Sequence, residues 1–314
     1  MKINFTNLYK LVPEKNKIFK KINHLIKTNQ FIGGEEVIKF EAEFSKFTGS
    51  RYCVSVANGT DALFLAIKAL KLKKGSEAIV PVNTWISTAE AVVEGGLKLI
   101  FCDVDLNDYS MDLNDLRKKI TKNTKLILPV HLYGNPTNMV EIKKIINKKN
   151  IKIVEDCAQA HGSTIKKKHV GTFGDIGTYS FFPGKNLGCF GDGGAIITNN
   201  KKYYEFVLRA RNHGALKKYD HKFSGQNSRL DTIQAAILRI KLKNYKKVLS
   251  KRNMLAKIYY KNLKNIKNIK LFNLKKNYKS CYHQFVIRTN NRNNLQSFLT
   301  NRKISTMIHY PYKL

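Results

Sequence analysis

The sequence has no long hydrophobic run and little of what disulfide or zinc sites require. No stretch of its 314 residues approaches the ~20 apolar residues of a membrane span, and the first residues lack the apolar core of a signal peptide. Its five cysteines are an odd number without a CxxC pair, which argues against a disulfide framework and a zinc site. We therefore expect a cytoplasmic protein with no membrane partner and no metal, in which the cysteines are small core residues.

Acidic residues and arginine are also scarce. The chain has 22 Asp and Glu against 57 Lys and Arg, for a formal net charge of +35, but only ten of these basic residues are arginine. Nucleic-acid readout favours arginine, and the lysines are spread along the chain beside many Asn and Ile, as A/T-rich codons would produce. We expect no nucleic-acid partner, although the charge attracts anionic ligands by long-range steering.

Short apolar runs alternate with amphipathic segments over the first two-thirds of the chain. This alternation predicts an α/β fold with a mostly parallel central sheet flanked by helices. Two later runs, "DIGTYSFF" and "GAIITN", predict a hairpin or neighbouring strands, and "RLDTIQAAILRIKLKNYKKVL" predicts a long helix. The length favours one large domain, residues 1–240 with an N-terminal arm, and a small C-terminal α+β domain, residues 241–314.

The segment "SFFPGKNLGCFGDGGAI", residues 180–196, places one lysine, Lys185, among five glycines and few other charges. One interpretation is an ordinary loop lysine beside a hairpin. The other is a lysine that forms and breaks a covalent bond in a crowded site, because a solvated lysine needs no such surroundings.

Two segments that follow predicted strands offer groups for a ligand. "VANGTDAL" opens a helix, where free N–H groups, Gly59 and the Thr60 hydroxyl suit a phosphate, although a plain turn capped by Thr60 or Asp61 fits equally. It matches neither the dinucleotide nor the nucleotide-phosphate glycine motif. "PVNTWIST" contains the only tryptophan, Trp85, whose ring could stack on a planar ligand or belong to the core.

Two further segments carry polar groups near predicted element boundaries. "IVEDCAQAHGS" ends a strong apolar strand with Asp156 and Gln159. A carboxylate here could keep the nitrogen of a pyridine-ring cofactor protonated, and the Gln159 amide could bond to an oxygen on that ring. The alternative is that both are solvated groups at a capped strand end. "GQNSRLDTIQAA" places Asn227 and Arg229 before a helix. Arginine suits phosphate or carboxylate, and a capping turn is the alternative.

Together and in this order, these motifs resemble the DegT/DnrJ/EryC1/StrS family of pyridoxal phosphate (PLP)-dependent sugar aminotransferases. The similarity covers nearly the whole chain. The motifs "NGTDAL", "HLYGN" and "SFFPGKNLG" most resemble those of the family branch that acts on nucleotide-linked 3-keto-6-deoxyhexoses. The resemblance implies the aspartate aminotransferase (type I) fold, PLP as cofactor, and a nucleotide-sugar and glutamate as substrates. It also implies a homodimer with shared active sites.

The resemblance also implies residue roles. Lys185 is the Schiff-base lysine and, with Asp156 at the pyridine nitrogen, forms the catalytic pair. The other cofactor-binding positions are Gly59, Thr60, Asp61 through its backbone, Trp85, Gln159, Ser180 and Asn227, the last reaching the neighbour's phosphate. The substrate-binding positions are Lys217, Tyr219, Arg229, His309 and Tyr310.

One feature of the sequence differs from the family. Relatives continue past the "HYP" motif whereas this chain ends at "IHYPYKL", so the resemblance implies an incomplete C-terminal domain.

Three other functions are alternatives to 3-keto transamination. A sugar dehydratase of the same fold is one, but such family members carry histidine in place of the lysine. A 4-keto-sugar aminotransferase is another. A regulatory or DNA-binding protein is the third, supported by net charge alone.

Overall fold

A computed structural model of the protein describes residues 2–314, and its elements follow the alternation seen in the sequence. The helices are α1 (Lys15–Lys27), α2 (Gly34–Thr48), α3 (Gly59–Ala69), α4 (Ser87–Glu94), α5 (Leu113–Lys119), α6 (Met139–Ile145), α7 (Lys201–Ala210), α8 (Thr232–Leu263) and α9 (Arg292–Asn301). The strands are β1 (Tyr52–Val56), β2 (Glu77–Pro81), β3 (Lys98–Cys102), β4 (Thr124–Ile127), β5 (Lys152–Asp156), β6 (Thr164–Ile165), β7 (Lys168–His169), β8 (Ile176–Ser180), β9 (Gly194–Thr198), β10 (Lys270–Leu271), β11 (Tyr278–Lys279) and β12 (Ile287–Arg288). Across residues 2–314, no helix combines the length and the apolar character that crossing a bilayer requires.

Seven strands form the central sheet in the order β1-β9-β8-β5-β4-β2-β3. Five adjacent strands run parallel to one another, in the order β8-β5-β4-β2-β3. Strand β9 runs antiparallel to both β1 and β8, so the predicted pair of neighbouring strands is confirmed. The α/β fold with a mostly parallel sheet is confirmed as well.

Helices cover both faces of this sheet because its strands are apolar on both sides. Successive residues of a strand point to opposite faces. In β5, Ile153 belongs to the core cluster on one face, which includes Phe40 and Phe44 of α2, whereas Val154 belongs to the cluster on the other face, which includes Leu63 and Ala66 of α3. The five cysteines are free and buried, which confirms the prediction that they are core residues.

The long helix predicted after residue 230 is confirmed as α8, against which α1 packs through Ile18 and Ile237. The proposed boundary between residues 240 and 241 falls inside this continuous helix. Beyond it, β10 pairs with β12, while β11 pairs with β6 of the preceding part of the chain. The division into residues 1–240 and 241–314 stays a prediction.

Candidate active site

A cavity of about 980 Å³ lies where the parallel strands of the sheet end. The segments after β2, β4, β5 and β8 line it together with the first turn of α3, one face of α8 and two C-terminal segments, 282–285 and 307–310. Ligands of open α/β sheets bind outside the carboxyl ends of the strands. The position and size of the cavity therefore mark it as the candidate site.

Lys185 lies in the loop between β8 and β9, half-buried, and lines the cavity. Its backbone N–H donates to the carbonyl of Phe182 at 2.8 Å, which closes a tight turn. Burial lowers the pKa of the amine, and the Asp156 carboxylate opposes that shift. Lys185 is therefore a loop lysine beside a pair of antiparallel strands, as the first interpretation had it, and it also lines the cavity.

The Asp156 carboxylate ends β5 and is buried at the cavity wall. The Thr88 hydroxyl donates to one carboxylate oxygen at 3.0 Å, and the Ala158 N–H donates to the other at 3.0 Å. The preceding residue, Glu155, points to the opposite face of the sheet. There its carboxylate accepts hydrogen bonds from backbone N–H groups of the turn at 171–174, and it lies 3.0 Å from the His131 ring nitrogen. The two adjacent acids therefore differ in role, since Glu155 holds a turn and Asp156 faces the cavity.

The first turn of α3 and the end of β8 form a polar cradle in the same cavity. Thr60 Oγ1 lies 2.8 Å from Ser87 Oγ, and the backbone of Gly59 lies against Ser180. The helix cap is neither Thr60 nor Asp61, since the Asn58 side chain accepts the Asp61 N–H at 2.8 Å. The first N–H groups of a helix have no partner within it, so those of Gly59 and Thr60 suit an anion.

Trp85, Gln159 and Tyr310 lie together at another wall of the cavity. The Trp85 and Tyr310 rings are 6.0 Å apart, and Trp85 is 59% exposed, which excludes the core interpretation. Gln159 Nε2 donates to the Tyr310 hydroxyl at 2.9 Å, while its Oε1 accepts the Tyr133 N–H at 2.7 Å. Burial raises the pKa of Tyr310 to about 12.

Three histidines surround the lysine end of the site. His161 is fully buried, and among residues 2–314 neither of its ring nitrogens has a hydrogen-bond partner. Burial, followed by the charge of Lys185, lowers its pKa to about 3. His283 contacts the Asn186 amide oxygen at 3.2 Å, and burial lowers its pKa well below the ordinary range. Burial and Lys185 also lower the pKa of His309.

Five predicted positions do not line the cavity of a single chain: Asp61, Lys217, Tyr219, Asn227 and Arg229. Lys217 and Tyr219 are exposed. Arg229 Nε donates to the Asn227 side-chain oxygen at 2.9 Å at the surface. Four residues at the site were not predicted from the sequence: Ser87, Thr88, Tyr133 and His283. Of these, Ser87 and Thr88 could have been predicted, because they are hydroxyl residues just after Trp85.

Residues 13–314 match the DegT/DnrJ/EryC1/StrS aminotransferase family. The chain belongs to this family. A dTDP-3-amino-3,6-dideoxy-alpha-D-galactopyranose transaminase of Aneurinibacillus thermoaerophilus is 42% identical over 295 residues, 94% of this chain and 81% of the relative. The crystal structure of S. venezuelae DesV in complex with a ketimine intermediate is 36% identical with a TM-score of 0.96, covering 99% of this chain and 84% of that one. The structure of an E. coli GDP-4-keto-6-deoxy-D-mannose-3-dehydratase with bound hydrated PLP is 30% identical with a TM-score of 0.86. The match covers 92% of this chain and 81% of the dehydratase chain.

The predicted family, enzyme class and cofactor are thereby confirmed: the protein is a PLP-dependent aminotransferase. The donor set of the cavity fits this cofactor. Helix N–H groups and hydroxyls at α3 suit its phosphate, the buried Asp156 carboxylate suits a protonated pyridine nitrogen, and Lys185 supplies an amine.

Proposed function

We propose that the protein transfers an amino group from glutamate to the 3-keto carbon of a nucleotide-linked 6-deoxyhexose, with dTDP as the nucleotide. The observation that carries this proposal is the Lys185 amine in one cavity with the buried Asp156 carboxylate. The sugar is inferred from the Aneurinibacillus relative, whose name specifies a 3-amino-3,6-dideoxyhexose. The same inference favours the 3-keto substrate over a 4-keto one.

Lys185 and Asp156 would perform the two catalytic roles. When bound, PLP supplies an electron sink that stabilises negative charge on the reacting carbon. Lys185 would carry a proton to and from that carbon, and its lowered pKa favours the neutral amine that this task requires. Asp156 would hold the proton on the ring nitrogen, and the donors Thr88 and Ala158 fix its carboxylate in place.

The remaining cofactor contacts would divide between two chains. The N–H groups of Gly59 and Thr60 and the Ser180 hydroxyl would hold the phosphate, Trp85 would stack on the ring, and Gln159 would donate to the ring oxygen. Asp61 would assist only through the Asn58 cap that its N–H completes. Asn227, exposed and outside the cavity of its own chain, would complete the phosphate site of a neighbour, which makes the enzyme a homodimer.

The substrate end needs cations or strong hydrogen-bond donors because a nucleotide-sugar carries a pyrophosphate. His309 and Tyr310 line the cavity, and Lys251 and Arg252 of α8 add positive charge to its wall. We assign Lys217, Tyr219 and Arg229 to the same substrate, contributed by the neighbouring chain. The buried free thiols suit a reducing compartment, so we assign the enzyme to the cytoplasm. Its proposed product, an amino-sugar, would serve deoxyamino-sugar and polysaccharide biosynthesis.

A sugar dehydratase is the second candidate, because the E. coli dehydratase shares the fold at a TM-score of 0.86. The resemblance places histidine at the lysine position of such members. Lys185 therefore favours transamination. The two reactions are distinguished by their products: transamination yields an amino-sugar and 2-oxoglutarate in equal amounts, whereas dehydration yields a deoxygenated keto-sugar and no amino-sugar.

The decisive test is reductive trapping of the cofactor followed by peptide mapping. The purified enzyme should show a visible absorption band that changes on addition of glutamate, and borohydride should fix the cofactor to Lys185. Lys185→Ala should lose turnover by at least ~10²–10⁴-fold, the range of general acid–base catalysis alone, and should resist trapping. Lys251→Ala, which changes another lysine of the cavity, is the matched control and should still trap at Lys185. Labelling of a different lysine would refute the assignment.

A further inference from the structure

Tyr133 has a backbone conformation that a residue with a side chain rarely adopts. Its φ is 59° and its ψ is 5°, in the left-handed region, within the turn Leu132–Gly134 that follows β4. Such a conformation persists only where surrounding contacts maintain it. Those contacts are present: the Tyr133 ring stacks on Phe272 at 5.9 Å and 7°, and packs edge-on against Tyr109 at 6.2 Å.

In this conformation two of the polar groups of Tyr133, the backbone N–H and the hydroxyl, contact residues that line the site. Its backbone N–H donates to Gln159 Oε1 at 2.7 Å. Its hydroxyl donates to the carbonyl of His309 at 2.6 Å. One residue thus contacts the proposed ring-oxygen ligand and the C-terminal segment that precedes Tyr310.

These contacts determine which way the Gln159 amide faces. A backbone N–H is only a donor, so the Gln159 oxygen must point at Tyr133 and the NH₂ group must point away from it. One of the two NH₂ hydrogens is donated to the Tyr310 hydroxyl at 2.9 Å. The other remains available to the cavity that Gln159 lines.

Tyr310 is itself held in place on two sides. Its ring lies 6.0 Å from Trp85, and the preceding residue, His309, is fixed by the Tyr133 hydroxyl and by a 2.9 Å contact with the Gln284 amide. Burial raises the Tyr310 pKa further above the ordinary tyrosine value, to about 12, so the hydroxyl is protonated and neutral near pH 7. It can accept from Gln159 without bringing a negative charge to the site.

We propose that Tyr133 and Tyr310 are positioning residues that together orient the Gln159 amide so that one N–H donates to the ring oxygen of the cofactor. This inference rests on the proposed function, which places Gln159 at that oxygen. Tyr133 fixes the amide oxygen directly and fixes Tyr310 through His309. Tyr310 fixes the amide nitrogen. The two tyrosines therefore act on the cofactor through one shared residue.

The test is a pH titration of the visible band of the PLP-loaded enzyme, which reports the pKa of the bound cofactor. An N–H that donates to the ring oxygen stabilises its anionic form, so weakening that bond raises this pKa. Gln159→Ala should raise it by ~1 unit, and Tyr310→Phe by ~0.5–1 unit, as expected for one hydrogen bond. Tyr133→Phe keeps the ring and the backbone N–H and should give a smaller rise. Tyr109→Phe, a neighbouring ring without these bonds, should give none.

The double variant Tyr133→Phe/Tyr310→Phe tests whether the two residues act in series. Because the Tyr133 hydroxyl acts by placing Tyr310, the double variant should shift the pKa no further than Tyr310→Phe alone. Additive shifts, or unchanged titrations in both single variants while Gln159→Ala shifts, would overturn the positioning role and leave the proposed function intact. An unchanged titration in Gln159→Ala would refute the proposed ring-oxygen contact and the positioning role with it.

Discussion

Gly59 and Ser180 approach each other so closely that a β-carbon on residue 59 would lie 2.7 Å from the Ser180 β-carbon. Real β-carbons do not come this near other atoms, so only glycine fits at the start of α3. The contact joins the first turn of α3 to the end of β8, and both residues line the cavity. The proposed phosphate cradle therefore depends on the absence of one side chain.

Replacement of Gly59 by alanine should weaken PLP binding. Overpacking of this kind costs about 1–3 kcal/mol, which corresponds to a roughly 5- to 150-fold higher dissociation constant if the cradle opens to relieve the clash. The constant is measured by titrating apoenzyme with PLP. Gly184→Ala is the matched control, since its β-carbon would meet only the Phe182 ring at 3.6 Å. Equal affinity in the Gly59 and Gly184 variants would contradict the prediction.

The order of elements and the location of the site could be read from the sequence because both depend on local patterns. Apolar strands and amphipathic helices are visible in short windows, and parallel strands place their following loops at one edge of the sheet. Which of two adjacent acids faces the cavity was not decided by residue type. It follows from the alternation of β5, which sends Glu155 to one face and Asp156 to the other.

The residues that sequence reasoning missed act through contacts between distant parts of the chain. Thr88 supports Asp156 across 68 positions, and the Tyr133 hydroxyl contacts His309 across 176. No local pattern indicates such pairs. The left-handed conformation of Tyr133 is equally hidden, since tyrosine is not a residue that favours it.

The proposed homodimer with shared active sites predicts that two inactive variants restore each other's activity when mixed. Lys185→Ala removes the amine proposed for catalysis, and Asn227→Ala removes the contact proposed to reach the neighbour. After equal mixing and subunit exchange, half of the dimers are hybrids, and each hybrid has one intact site of two. Roughly a quarter of wild-type activity should return.

The complementation experiment needs proof that subunits exchange. A tagged and an untagged wild-type chain, mixed in the same way, should co-purify. A mixture of Lys185→Ala with Asp156→Ala is the matched control, because both changes affect the chain's own cavity and should restore nothing. No recovery with Asn227→Ala, despite demonstrated exchange, would indicate sites built from single chains.

Lys217 should act on the nucleotide-sugar alone. A charge-assisted bond to pyrophosphate is worth about 1.5–3 kcal/mol, so Lys217→Ala should raise KM for the nucleotide-sugar by ~10-fold or more. The glutamate half-reaction should stay nearly unchanged, because glutamate carries no pyrophosphate. Lys218→Ala is the control, since that amine lies over the Tyr219 ring at 5.0 Å. Equal losses in both half-reactions would assign Lys217 a structural role.

His161 should make the protein sensitive to acid. Its folded pKa of about 3 lies below the ordinary value of 6.5, so between these values the unfolded chain binds more protons than the folded one. The free energy of unfolding must therefore fall as pH decreases from about 6.5 toward 3, whereas above 6.5 the imidazole is neutral in both states. At pH 5 this single group costs about 2 kcal/mol relative to pH 8.

His161→Phe should remove that sensitivity, because phenylalanine suits the apolar environment beside the Tyr179 and Phe181 rings. Urea unfolding of wild type and variant at pH 5 and pH 8 measures the difference. The stability lost by wild type between the two pH values should exceed the loss in the variant by about 2 kcal/mol. At pH 8 the variant should be at least as stable, since it no longer buries two unpartnered nitrogens. His24→Phe, at an exposed histidine, should follow wild type, and parallel profiles for His161→Phe and wild type would show that His161 titrates normally in the folded protein.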